Sequence, residues 1–227
     1  TVLGTTVPTS ATDSSSKVED IASLPANTAT LFVPKEGYDL DSLKVTDLTG
    51  ASKTLVTGDN SFTPQGAATA ITLTVGSVSD GLSILCSNVN DSITLSAAYK
   101  IRTYDVTFDA GDHGVLSGTG VTQTVDYGSN PSMANVTDTV AAGYTLTSWS
   151  YKVDGKSGST TDPSKVTIKE ATTFTATYKE NADVDITYAS DSTAMGTVTP
   201  ATETVAPATG KAAGSTATAK PGYHLVN

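Results

Sequence analysis

One cysteine, one tryptophan and two histidines are all that 227 residues offer of the side chains most often used for chemistry. With Cys86 alone, no intrachain disulfide can form. Set in Ser83-Ile-Leu-Cys-Ser87, it reads as a small buried hydrophobe, and no neighbouring His or partner motif marks a reactive thiol or thioester. His113 and His224 share no Ser-His-Asp or Cys-His spacing, which excludes a nucleophilic triad and leaves zinc without ligands. His113 is expected solvated in a Gly-rich turn and His224 on the face of a strand. Basic residues are scarce too, 13 Lys and Arg against 23 Asp and Glu, giving a net charge of −10. Such a chain is a poor partner for nucleic acid or an anionic membrane, because like charges repel. No apolar run reaches the ~18 residues of a membrane span. Neither a signal peptide nor a sorting tail is visible, so Thr1 and Asn227 read as processing ends of a longer protein.

What the chain does have is repetition. Gly143-Tyr-Thr-Leu-Thr-Ser-Trp149 holds the single Trp, and its phrase returns as Gly222-Tyr-His-Leu225. Thr94-Leu-Ser-Ala-Ala-Tyr-Lys100 returns as Thr173-Phe-Thr-Ala-Thr-Tyr-Lys179. The differences 223 − 144 and 178 − 99 are both 79, and two phrases with one offset define an internal repeat. Only 16% of residues are charged, and Thr, Ser, Ala and Gly fill the remainder, with Val, Ile, Leu and Tyr left for cores.

Taken in order, residues 1–26 form a polar run typical of a linker, in which Thr1 to Val7 is a candidate pairing strand. Residues 27–100 read as a divergent β-rich module. It carries alternating strands at Ser42 to Thr46 and Ala70 to Val75, with turns at Asp47 to Gly50 and Thr57 to Asn60. Residues 101–179 read as the complete module: strands at 104–108, 121–125, 144–153, 166–168 and 172–178, and an Asp154-Gly155 hairpin turn. Alternation fails between 130 and 142, and Pro131-Ser-Met-Ala-Asn-Val136 is expected to form a short helix. Residues 180–227 read as a partial module. It starts at Val184 to Tyr188 and reaches only Tyr223 to Asn227, so the Trp and closing strands are missing, and either the chain was cut or a partner supplies strands.

Three ordered phrases, Tyr104-Asp-Val-Thr-Phe-Asp-Ala-Gly111, Gly143 to Trp149 and Thr173 to Tyr178, resemble internalin-B-type B-repeats, the Listeria–Bacteroides repeat modules of bacterial surface proteins. Gly196-Thr-Val-Thr-Pro200 and Gly214 to Tyr223 resemble a divergent copy, while residues 27–100 share only Gly37-Tyr38 and the closing phrase. Family repeats often end in Trp where this chain has Tyr99 and Tyr178. The resemblance implies a mainly β fold of tandem small β-grasp-like modules, each with four or five strands and at most a short helix. It implies no catalytic residues and no cofactor.

Candidate sites are few. Asp109 and Asp112, or Asn88, Asn90 and Asp91, are the candidate ligands for a metal such as calcium, although no EF-hand spacing is present. Tyr127, Tyr144, Trp149 and Tyr151 are candidates for a glycan-stacking platform. Strict alternation sets Tyr144 opposite Trp149 and Tyr151, so one set belongs to the core, and Tyr144 is the favoured one; in the repeat reading Trp149 closes the core as well, beside Phe174 or Val106. The expected function is that of a non-enzymatic extracellular segment at the bacterial cell surface, a repeat stalk or spacer of an adhesin. The expected partners are a host or cell-surface protein or glycan, or neighbouring copies of the chain. The rival from another class is a structural subunit of an S-layer or filament assembled by strand exchange; a third is an accessory segment of a cell-wall enzyme.

Overall fold

The computed structural model of the chain describes residues 5–6, 15–18, 29–78, 81–89 and 91–226. The chain divides into two compact units, Thr1–Tyr104 with Asp126–Ser129, and Asp105–Val125 with Asn130–Asn227.

The first unit contains β1 (Thr5–Thr6), β2 (Ser15–Val18), β3 (Ala29–Phe32), β4 (Tyr38–Asp47), β5 (Ser52–Leu55), β6 (Gly58–Phe62), β7 (Ile71–Val78), β8 (Gly81–Ser87) and β9 (Ile93–Ile101). They form two sheets, in the orders β1-β3-β8-β7-β6 and β2-β9-β4-β5. Alternation explains both. Ile93, Leu95, Ala97 and Tyr99 of β9 turn inward, as do Ile71, Leu73 and Val75 of β7, and these join Phe32, Val45 and Ile84 in one core cluster. This is a two-sheet sandwich, and it corrects the expectation of a small four- or five-stranded module here. Residues 1–26 contribute strands to it at Thr5–Thr6, beside β3, and Ser15–Val18, beside β9; the rest of that expected linker lies outside the described residues.

Polar side chains bend this sandwich. The Asp47 carboxylate accepts from the Thr49 and Ala51 amides, the Thr49 hydroxyl and the distant Gln65 amide, which turns β4 into β5. The buried Asn60 amide donates to the Val56, Gly58 and Leu73 carbonyls and accepts from Val56 N–H. The expected turn at Thr57 to Asn60 is therefore already strand at Gly58, because this one side chain closes the bend and the backbone pairs at once with β7.

In the second unit, β10 (Thr103–Asp109), β11 (Gly114–Ser117), β12 (Thr122–Asp126), β13 (Thr137–Val140), β14 (Tyr144–Val153), β15 (Lys156–Thr160) and β16 (Thr172–Glu180) precede β17 (Val184–Thr187), β18 (Gly196–Thr199), β19 (Thr202–Val205) and β20 (Thr216–Ala219). The main sheet runs β12-β10-β16-β14-β15, and β11 pairs with β13 as a separate ribbon. The first and last strands of this set, β10 and β16, lie side by side and parallel, from Val106↔Thr172 to Asp109↔Thr175. Phe108 stacks on Phe174 with ring centroids 5.3 Å apart and meets Trp149 edge-on at 5.5 Å. Val106, Val125, Ile168 and Ala176 complete that core. The hairpin joining β14 to β15 turns at Asp154 (φ 55°) and Gly155 (φ 68°), the left-handed pair of a type I′ turn.

Three elements differ from expectation. Residues 131–136 form no helix, because the Gln123 side chain bonds both the Ser132 carbonyl and its N–H and so takes the groups a helix would need. Among the described residues there is no α-helix. Val166 to Ile168 is not a strand. A 3-10 turn at Pro163–Lys165, capped by Asp162, delivers Ile168 into the core as a fully buried plug. Tyr223 to Val226 joins no ladder, and His224 is exposed outside any strand, since no strand lies beside it among the described residues.

After β16 the order of the ribbons repeats: β17 pairs with β19 and β18 with β20, as β10 neighbours β12 and β11 pairs with β13. The first unit repeats the other half. β4 pairs with β9 through a register slip between Leu40 and Ser42, and β14 pairs with β16 through the same slip between Leu146 and Ser148. Leu40 faces Tyr99 as Leu146 faces Tyr178. What differs is the other neighbour of the closing strand: an antiparallel β2 beside β9, a parallel β10 beside β16.

Candidate functional site

The register slip in β14 rearranges the aromatic candidates. A bulge inserts one residue into the alternation and returns the chain to the same face out of step. Tyr144, Leu146, Trp149 and Tyr151 therefore share a face, and the expectation that Tyr144 opposes Trp149 and Tyr151 is corrected. Trp149 is the core residue, with 2% of its surface exposed, while Tyr144 is only half-buried. Tyr151 leans on Phe174 at 5.2 Å and lies flat across the hairpin on Gly158, where a Cβ would stand 2.5 Å from its ring. Tyr127 sits in the first unit against Gly37 and donates to Glu36.

His113 departs from its solvated expectation. Its imidazole stacks on Tyr144 at 3.9 Å, nearly parallel, and meets Tyr178 edge-on at 6.5 Å. Tyr178 donates to Asp138 Oδ1 at 2.8 Å, and its hydroxyl is pushed up to about 12, first by burial and then by that carboxylate. Asp138 Oδ2 is enclosed without a partner. Beyond them Glu180 ends β16; its carboxyl is held below the usual range by the N–H groups of Thr209 and Ala208 and the Thr209 hydroxyl, with His113 adding to the effect.

The metal candidates do not assemble such a cluster. Asp109 and Asp112 lie in the turn after β10, where Asp109 Oδ1 accepts from Gly111 N–H at 3.0 Å, and Asp112 is exposed. Asn88 adopts a left-handed turn conformation (φ 58°), Asp91 accepts from its neighbour Ser92, and Asn90 lies outside the described residues. Among the described residues no three His, Cys, Asp or Glu side chains gather. Cys86 packs against the sandwich core, and burial pushes its thiol up to about 11, far from a reactive thiolate.

The topology of β10 to β16, the shared face of β14 and its bulge now define one module from Tyr104 onward. Residues 104–182 match the family model of the divergent InlB B-repeat domain. No curated protein and no solved structure matches the chain. B-repeat domains belong to bacterial surface proteins, and the match spans every strand from β10 to β16. Within this B-repeat module the residues that sequence reasoning missed are Asp138 and Glu180. One signal was available for Glu180: the repeated phrase ends Tyr99-Lys100-Ile101 in one copy and Tyr178-Lys179-Glu180 in the other.

Proposed function

We propose that this chain is a non-enzymatic extracellular segment of a bacterial surface protein, a spacer in the stalk of an adhesin whose B-repeat module carries tension. The observation that carries the reading is the parallel pairing of β10 with β16, the first and last strands of the module. Tension on the chain enters through β10 and leaves through β16. Force along two adjacent parallel strands loads their whole hydrogen-bond ladder in shear, so the bonds must fail together. An antiparallel hairpin pulled from its open end fails one bond at a time. We read the arrangement as β-grasp-like, with a β11–β13 ribbon and no α-helix among its described residues. End-to-end pulling of the full chain tests the reading. Release of residues 104–182 is expected as a single late step that lengthens the chain by the roughly 260–280 Å these residues span when extended, less the distance their folded ends already cover. Gradual extension without such a step would reject it.

A second reading is supported by a different feature. Among the described residues β17 pairs only with β19, whereas its counterpart β10 has a parallel strand on its other side. Tyr223, Leu225 and Val226, which follow β20, are more than half exposed. Neighbouring copies exchanging strands there would make the chain an assembly subunit. Light scattering separates the two: mass rising with concentration favours assembly, and a concentration-independent monomer favours the spacer.

A further inference from the structure

Between β16, which ends at Glu180, and β17, which begins at Val184, stand only Asn181, Ala182 and Asp183. So short a link still leaves a joint free to swing unless something holds it. Glu180 Oε1 accepts from the Ala208 and Thr209 N–H groups, both at 2.9 Å, and the Thr209 hydroxyl lies 3.1 Å from Oε1 and 2.9 Å from Oε2. Those N–H groups belong to the turn after β19, which Gly210 N–H closes on the Ala206 carbonyl. They take no part in a sheet ladder, so the carboxylate meets two donors with no competing partner.

Gly143 completes the seat. It adopts φ 82°, and a Cβ there would stand 2.8 Å from the Ala208 methyl. Its carbonyl accepts from Asn181 N–H at 2.8 Å, which ties the seat to the end of β16. The first unit has the same parts. Gly37 (φ 86°) is covered by the Tyr127 ring from the turn after β12, its carbonyl accepts from Arg102 N–H at 2.8 Å, and Glu36 accepts from the Tyr127 hydroxyl. A glycine in the left-handed region, an adjacent carboxylate and the turn after a third strand thus recur with different chemistry.

We infer that Gly143 and Glu180 form a docking site on the B-repeat module for the turn that follows the third strand of the next module, here Pro207 to Thr209. The partner it fits is a tight turn of small residues presenting two consecutive free N–H groups and a hydroxyl. The site makes the link between the two modules a built joint instead of a swivel. Its purpose rests on the spacer reading, but its contacts stand apart from it.

Amide hydrogen exchange on the full chain is the test. In Glu180→Ala the Ala208 and Thr209 amides are expected to exchange at least ten-fold faster, with Glu180→Gln between it and the native chain, while amides of β10 and β16 keep their rates. Thr209→Val, in an exposed turn, removes the hydroxyl alone and is expected to raise the same two rates several-fold. Rates at Ala208 and Thr209 within two-fold of native in both Glu180→Ala and Thr209→Val would overturn the joint. Should Glu180→Ala lose protection throughout, Thr209→Val decides alone. The pulling step of residues 104–182 is independent of these rates, so the joint and the spacer reading fail separately.

Discussion

Trp149 meets Phe108 edge-on and keeps 2% of its surface in contact with solvent, so its ring is part of the interior that β10 and β16 enclose. Truncating it to alanine is expected to cost about 3–5 kcal/mol, through lost burial and the cavity left behind. Urea unfolding reads this directly, and an unchanged midpoint would remove Trp149 from the core. Asn60→Ala is expected to cost about 1–3 kcal/mol, chiefly because the Leu73 carbonyl is left without this donor in the sandwich interior, while Val56 N–H loses its acceptor nearer the surface. A Gly-Asp-Asn run announces a bend, so the residue type was legible, but the reach of its amide to β7 was not. Trp149 was legible through the repeat resemblance alone, since strict alternation favoured Tyr144 on the opposite face. Asp138 was not legible, and Glu180 showed only as a departure from the repeated phrase, since both work through residues 28 to 40 positions away and nothing local in the sequence encodes such pairings.

Among the elements, β14 shows where alternation ends as a guide. Its range and its hairpin turn follow from period-2 patterning and Asp154-Gly155, and the structure reproduces both. The slip between Leu146 and Ser148 is invisible to a rule of strict alternation, so the faces on its two sides are related wrongly without it. This gives a sharp expectation. Deleting the exposed Thr147 removes the bulge yet keeps Tyr144, Leu146, Trp149 and Tyr151 on one face, so the module should still fold, losing about 1–2 kcal/mol with the Thr147–Thr177 hydrogen bond and local twist. Deleting Ser150 instead turns Tyr151 and Val153 outward and should unfold it. Circular dichroism of both full-length deletions distinguishes them, and equal behaviour would contradict the shared face. The missing helix at 131–136 has a similar origin: Pro131 sets a helical φ, but a side chain from β12 had already claimed Ser132.

At the scale of the whole molecule, acid should act through a few bonded carboxylates. Asp47 is held below its usual range chiefly by the Gln65 N–H, Glu180 by the Thr209 N–H, and Glu203 by the Tyr188 hydroxyl. Their folded pKa values lie below the unfolded ones, so the stability they contribute is present above the ordinary carboxylate range and lost as pH falls through the lowered values. Urea midpoints are therefore expected to stay level from neutral pH to about 5 and to decline below about 4. A midpoint that rises on acidification would contradict these roles. The 79-residue repeat was legible because it needs only identity of phrases; the sandwich was hidden, because its β1-β3-β8-β7-β6 sheet shares no phrase with the B-repeat module. In the proposed spacer, the parallel β10–β16 pair makes the B-repeat module bear load. Two pulling directions on the same full chain at one loading rate test this, one gripping residues 104 and 182 and the other gripping the facing pair 150 and 159 near the open end of the β14–β15 hairpin. Forced rupture reports the unfolding barrier along the chosen direction. The first direction is expected to need a force several-fold higher; equal forces, or a weaker first direction, would rule out load-bearing by the β10–β16 pair.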